Sequence, residues 1–346
     1  MEKRIAKEGM ADYLNRERTT GLKGLLALGV LLSHMIPASN LFSNRIIIAM
    51  FSSLGYLSVS VFFFMSGYGI MAQYQKNQEK YLGSFLKNRV LSIYLLSVFL
   101  IVLYSVFHAV IGQGDSVFEI FQSFLIGRTI INNGWYLQIV LLFYILWFIC
   151  TKYIKNPQKQ FLVLCVLIAC YMVVGVLTLS KTWYECSICF LIGIFWQKNR
   201  EKIDIWMETN KRERLLLFVA AAIVFTATYM LSFKTLIPSN KVLDSLLHVV
   251  TAVISSSLFV VLTLMINIFF AKARFLESNT LRFIGERSME IYVLQGIPLV
   301  LFAETVFNIG NSFLYILAVA VVTALLSIIL HPLIRYITNI PKKYLQ

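Results

Sequence analysis

A lone histidine lies inside an apolar helix-forming run, eleven residues after a lysine: Gly21-Leu22-Lys23-Gly24-Leu25-Leu26-Ala27-Leu28-Gly29-Val30-Leu31-Leu32-Ser33-His34-Met35. Imidazole is the side chain whose ordinary titration falls near neutral pH, so the chemistry it offers is proton transfer. An ionisable group at membrane depth is costly and marks a functional site by default. The helical rise puts Lys23 and His34 roughly 16 Å apart along the axis. One sits near a membrane face and the other well inside. The competing reading is a buried structural histidine bonded to a neighbouring helix.

A second group of residues suits an anion. Val61-Phe62-Phe63-Phe64-Met65-Ser66-Gly67-Tyr68-Gly69-Ile70 ends one apolar segment, and Phe85-Leu86-Lys87-Asn88-Arg89-Val90-Leu91-Ser92-Ile93-Tyr94 opens the next. If both meet the face where Lys23 lies, then Lys23, Lys87 and Arg89 converge on a mouth for a phosphate-bearing cytosolic ligand. Gly67 and Gly69 let backbone approach closely there. Against this, Lys and Arg at cytoplasmic helix ends are expected of any membrane protein, and small residues in apolar helices are often packing. His108, His248 and His331 lie nearer helix ends, and Glu185, Asp244, Glu290 and Gln295 are further polar candidates without an assignable partner. Cys186-Ser187-Ile188-Cys189 has CxxC spacing but no second pair or histidine cluster, so it reads as two core residues one turn apart, and no metal site is expected.

The elements that must position these residues are membrane helices. The 346 residues are 58% hydrophobic and only 14% charged, with mean hydropathy +0.75. A soluble domain carries about 25% charged residues. Ten apolar segments can be marked, near 20–38, 46–72, 89–112, 134–151, 160–179, 183–197, 214–233, 245–270, 288–304 and 312–334. Residues 117–126 are too short to span and read as an interfacial or re-entrant piece. The first twenty residues are polar and do not read as a signal peptide.

Of 31 Lys and Arg, 24 fall on one side of these ten segments and five on the other, with Lys23 and Arg287 within or beside helices. By the positive-inside rule both termini are cytoplasmic. The net charge of +14 is absorbed by these loops, which fits topology and anionic lipid rather than nucleic acid. Without repeats or a linker, residues 1–346 read as one domain: an all-α integral membrane bundle of about ten transmembrane helices.

In its ordered motifs the chain resembles the acyltransferase-3 family of polytopic membrane acyltransferases. That family's first helix carries an arginine, ten residues, then a histidine; here Lys23 precedes His34. Its second helix carries Phe-Phe-x-x-Ser-Gly-Tyr/Phe, matched by Phe63-Phe64-Met65-Ser66-Gly67-Tyr68. Lys87-Asn88-Arg89…Ile93-Tyr94 resembles the basic stretch opening its third helix, and Trp135-Tyr136-Leu137…Phe143-Tyr144 its aromatic fourth-helix motif. Phe190-Leu191-Ile192-Gly193 and Ser288…Tyr292-Val293-Leu294 look like its later landmarks. Departures are lysine for the first arginine, a third-helix stretch keeping only Arg89, Val140-Leu141 where many members have a glutamate, and Gln295 where many have a histidine.

The resemblance implies O-acyl transfer, usually of acetyl, from cytosolic acyl-CoA to a hydroxyl of a cell-surface polysaccharide or lipid-linked sugar. His34 would be the catalytic general base. Lys23, Lys87, Arg89, Ser66, Gly67 and Tyr68 would bind acyl-CoA, and Trp135 and Tyr136 would stack on the acceptor, if they are not simply an aromatic belt. Acetyl-CoA is then a co-substrate rather than a resident cofactor, the location is the plasma membrane, and separate acyl-accepting or polysaccharide-assembly proteins are possible partners. The alternatives are a transporter or flippase for a glycan or lipid intermediate, or a non-catalytic membrane scaffold. No inverted repeat or matched pair of broken helices favours the transporter.

Overall fold

The computed structural model describes residues 12–233 and 241–344. Among the described residues there is no strand. In chain order the helices are α1 (Arg16–Ala38), α2 (Arg45–Lys76), α3 (Gln78–Phe85), a π-helical turn (Leu86–Leu91), α4 (Ser92–Val110), α5 (Val117–Gln122), α6 (Trp135–Tyr153) and α7 (Pro157–Thr178). There follow α8 (Ser187–Lys198), α9 (Arg200–Thr209), α10 (Lys211–Phe233), α11 (Lys241–Phe269), α12 (Asn279–Glu286), α13 (Ser288–Leu294), α14 (Gly296–Glu304) and α15 (Ser312–Tyr344).

Eight of the described helical runs are long and apolar enough to cross a membrane: α1, α2, the continuous run Gln78–Val110, α6, α7, α10, α11 and α15. The other two expected segments are shorter. α8 has 12 residues, and the ninth segment divides at Gln295 into helices of 7 and 9 residues. A straight crossing needs about 20. The division has a local cause: Pro298 has no N–H to give the Leu294 carbonyl, so the ladder cannot run on unbroken. Residues 117–126 form only the six-residue α5, started by a capping box between Ser116 and Glu119. Its Val117, Phe118 and Phe121 stand exposed, as an interfacial piece requires.

The chain forms two compact units. One comprises the described residues within 1–26, 56–72 and 184–286, the other those within 27–55, 73–183 and 287–346. In the first, α10 lies along α11, and α8 packs on α11 and α9. The backbones of α2 and α8 touch, because a Cβ at Gly67 would collide with the Phe190 carbonyl and one at Gly193 with the Phe64 carbonyl. Arg18 is 2% exposed. Its guanidinium donates to the carbonyls of Phe270 (2.9 Å), Ala271 (2.9 Å) and Ala273 (2.8 Å), fastening the turn that follows α11.

In the second unit α15 packs on α13, α14 and α4, and α6 packs on α7 and on the π-helical turn. α15 exposes Phe313, Leu317, Val321, Leu325 and Ile329, an apolar stripe at every fourth residue that suits lipid. It buries Val319, Thr323 and Ser327, which lie on the opposite stripe with His331.

Candidate functional site

His34 lies on the part of α1 that belongs to the second unit. Ala27, Val30 and Leu31, at seven, four and three residues before it, are all buried. Those spacings share one helix face, so the imidazole stands on the inward side of α1. Leu31, Met35 and Ile36 pack with Tyr315 and Val319 of α15. His34 itself is half-buried. Among the described residues it has no hydrogen-bond partner, and neither ring nitrogen is among the enclosed polar atoms that lack one. A half-buried imidazole with both nitrogens unengaged is equipped to exchange a proton with a ligand.

The other histidines differ. His331 Nδ1 lies 2.6 Å from Oε1 of Glu290 on α13, and Glu290 is 4% exposed. His108, near the end of α4, has Nδ1 2.9 Å from both carboxylate oxygens of Asp115. Sequence spacing hid the first pair, 41 residues apart. The second was within reach of local reasoning, seven residues apart across a helix end. The side chains of His248 and Asp244 lie outside the described residues.

Lys87, Asn88 and Arg89 all fall in the π-helical turn Leu86–Leu91 of the second unit. π-turns are rare and recur at functional sites, because the extra residue re-aims side chains. Phe85 is fully buried there, 4.9 Å from the Trp147 ring, and anchors the turn against α6. Arg89 is exposed, with the phenols of Tyr81 and Tyr144 beside its guanidinium. Among the described residues no carboxylate pairs with Arg89, and Lys342 of α15 adds a second cation near it. Lys87 is half-buried.

Lys23, Ser66, Gly67 and Tyr68 belong to the first unit. The space a Gly67 side chain would fill is occupied by α8, so that glycine serves helix packing, whereas Gly69 faces open space. The Tyr68 hydroxyl accepts from Arg200, which also pairs with Asp12 and, at 3.3 Å, with Asp204. Asp204 accepts from the Tyr13 hydroxyl at 2.8 Å, and Trp196 donates to that same hydroxyl at 3.0 Å. Burial raises the Asp204 carboxyl above the usual carboxylate range, against the pull of Tyr13 and Arg200. This network ties Tyr68 to α9 and to the residues before α1, contacts separated by more than 130 positions and invisible in the sequence.

At the opposite end of α4 from the π-turn, the second unit holds a cavity of about 670 Å³. Its wall includes His108, Glu119, Arg128, Asn133, Trp135 and Glu304. Gln138 donates to the carbonyls of Ser123 (2.7 Å) and Arg128 (3.1 Å), pinning the loop over α6. Trp135 faces this space. Tyr136 does not line it: it is 6% exposed and packs edge-on against Tyr292 at 5.5 Å. Gln295 is fully buried, donates to the Tyr292 carbonyl at 3.0 Å and leaves Oε1 without a partner among the described residues. Cys186 and Cys189 are buried free thiols, directed at the Tyr56 carbonyl (3.2 Å) and the Ser256 hydroxyl (4.0 Å), as packing residues would be.

No curated protein and no solved structure matches the chain. A family model described as an acyltransferase domain, that of acyltransferase-3, matches residues 17–331. The matched stretch runs from the first turn of α1 to His331 and contains Lys23, His34, the Ser66-Gly67-Tyr68 run, the π-turn and the cavity wall. The chain therefore belongs to the acyltransferase-3 family and is a membrane acyltransferase.

Proposed function

We propose that this acyltransferase moves acetyl from cytosolic acetyl-CoA to a hydroxyl of a cell-surface polysaccharide or lipid-linked sugar, at the plasma membrane. The observation that carries the reading is the unengaged imidazole of His34 on the inward face of α1. As general base, its free nitrogen takes the acceptor hydroxyl proton. The oxygen attacks the thioester carbonyl, the carbon–sulfur bond breaks, and the CoA sulfur leaves with the proton that His34 gives back.

On the donor side, Lys23, Lys87 and Arg89 would hold the phosphates of CoA. The exposed, carboxylate-free setting of Arg89 on a π-turn supports that role. Ser66 and Tyr68 are proposed as further acyl-CoA contacts, with Gly67 holding their helix against α8. On the acceptor side, Trp135 would stack on a sugar ring, and Tyr136 would back the wall from its place against Tyr292. The arrangement proposed for the membrane keeps both termini cytoplasmic, with α8 and the α13–α14 pair completing ten segments in a single domain. Separate acyl-accepting or polysaccharide-assembly proteins are proposed as partners; nucleic acid is not.

The test is transfer of labelled acetyl from acetyl-CoA by the purified protein in lipid nanodiscs, with and without glycan acceptors, for wild type and His34→Ala. Turnover lost in the variant supports the reading. A wild type that neither consumes acetyl-CoA nor labels a glycan, yet moves glycan lipids across vesicles, would replace it with transport.

A further inference from the structure

We propose that the cavity beside α5 is a carbohydrate subsite, in which the His108–Asp115 pair and Trp135 grip one sugar ring of the acceptor. It deepens the acyl-transfer reading and rests on it. Four observations carry it. The volume of about 670 Å³ falls within the roughly 300–1,000 Å³ of small-molecule sites. The wall mixes two indoles with an imidazole, four amides, two carboxylates and one guanidinium. Such a wall gives no cationic excess for a phosphate, and it offers what a sugar presents: hydroxyls that donate and accept, and an apolar ring face.

The imidazole is held for this purpose. An ionised carboxylate only accepts, so the 2.9 Å contacts to Asp115 place the His108 proton on Nδ1. In the neutral ring Nε2 is then left to accept from a ligand hydroxyl. The Tyr104 ring meets the imidazole edge-on at 5.9 Å, and Tyr104 is itself fixed by its hydroxyl donating to the Val293 carbonyl at 2.7 Å. Finally, α5 divides its faces. Glu119 and Gln122 line the cavity, while Val117, Phe118 and Phe121 stand exposed and apolar. Ser116 donates to the Glu119 carboxyl from its backbone and hydroxyl and holds it below the usual range, so that wall carries a fixed negative charge.

Two probes separate the sources of the sugar: methyl glycosides of glucose, galactose and N-acetylglucosamine, free in water, and undecyl glycosides of the same sugars, dissolved in the nanodisc. Binding to the full-length protein is read by saturation-transfer NMR, and the acceptor KM by acetyl transfer. The expected result is binding that weakens roughly three- to tenfold in His108→Gln and in Trp135→Ala. Asp115→Ala should weaken it as well, and Asp115→Asn should recover most of that loss, because the amide oxygen still accepts from Nδ1. Acetyl-CoA binding and the unfolding midpoint should stay at wild-type values. Methyl glycosides that bind make the sugar itself the ligand; binding by undecyl glycosides alone, still sensitive to His108, makes it a membrane-tethered one. Failure of both to bind, or binding equal in all variants, overturns the inference. Transfer with an unchanged acceptor KM in the variants overturns the subsite and leaves acyl transfer standing. Glycoside binding without any acetyl turnover does the reverse.

Discussion

His34 and His331 are both imidazoles on long apolar helices, and their surroundings are opposite. His331 is bonded at 2.6 Å to Glu290, a carboxylate sealed in the same unit. His34 is half-buried, on the inward face of α1, with no partner among the described residues. Burying a polar side chain usually demands a hydrogen bond. The pair obeys that rule and contributes cohesion; neither nitrogen of the unpaired ring is enclosed, so the rule does not bind it and both stay available for something that comes and goes. A histidine in an apolar segment is thus read by its partner, not by its depth. The same contrast separates Arg200, paired with two aspartates and a tyrosine, from Arg89, which has tyrosines beside it and no carboxylate partner among the described residues.

The sharpest way to break this comparison is His34→Ala. Removing a general base should lower kcat by on the order of 10²–10⁴-fold, with the unfolding midpoint unchanged. Retained turnover would reduce His34 to a filler. Glu290→Ala should do the opposite: a loss of stability of about 3–5 kcal/mol, the scale for breaking a buried pair, seen as earlier unfolding, with the surviving folded protein still turning over. Full turnover loss at wild-type stability would move Glu290 into the chemistry. Arg89→Ala should raise the donor KM by roughly tenfold, the effect of one lost charge-assisted contact, while protein yield holds. Lys23→Arg sits at the small end. It keeps the charge, and the donor KM should stay within about twofold; a large change would mean that the ammonium itself is required.

Much of this arrangement was legible in the chain. Apolar length and charge sparsity mark the helices, and Lys23…His34 with Phe63-Phe64-Met65-Ser66-Gly67-Tyr68 marks the family. What stayed hidden depends on distant or subtle contacts. A CxxC spacing says nothing about whether thiols face a metal or a carbonyl until α11 and α2 are beside them. Gly67 looked like room for a ligand, and the room is taken by α8. The apolar run over 288–304 reads as one span, yet Pro298 withholds the single hydrogen bond that would keep it whole. Nothing in Leu86–Leu91 announces a π-turn, since its side chains are ordinary helix formers. The reach of Arg18 to three carbonyls in the turn after α11 has no sequence signature at all.

α15 is 33 residues long, about 50 Å at the helical rise. The hydrocarbon layer is about 30 Å thick, and even a tilt of about 40° accounts for less than about 40 Å of helix. About two turns must therefore stand clear of the acyl chains. The basic last turn with Lys342 and Lys343 suits the water side. A fluorescent protein or affinity tag joined after Tyr344 would stand off the lipid on this protruding helix, with Pro332 and Pro341 as the places where the stalk can bend.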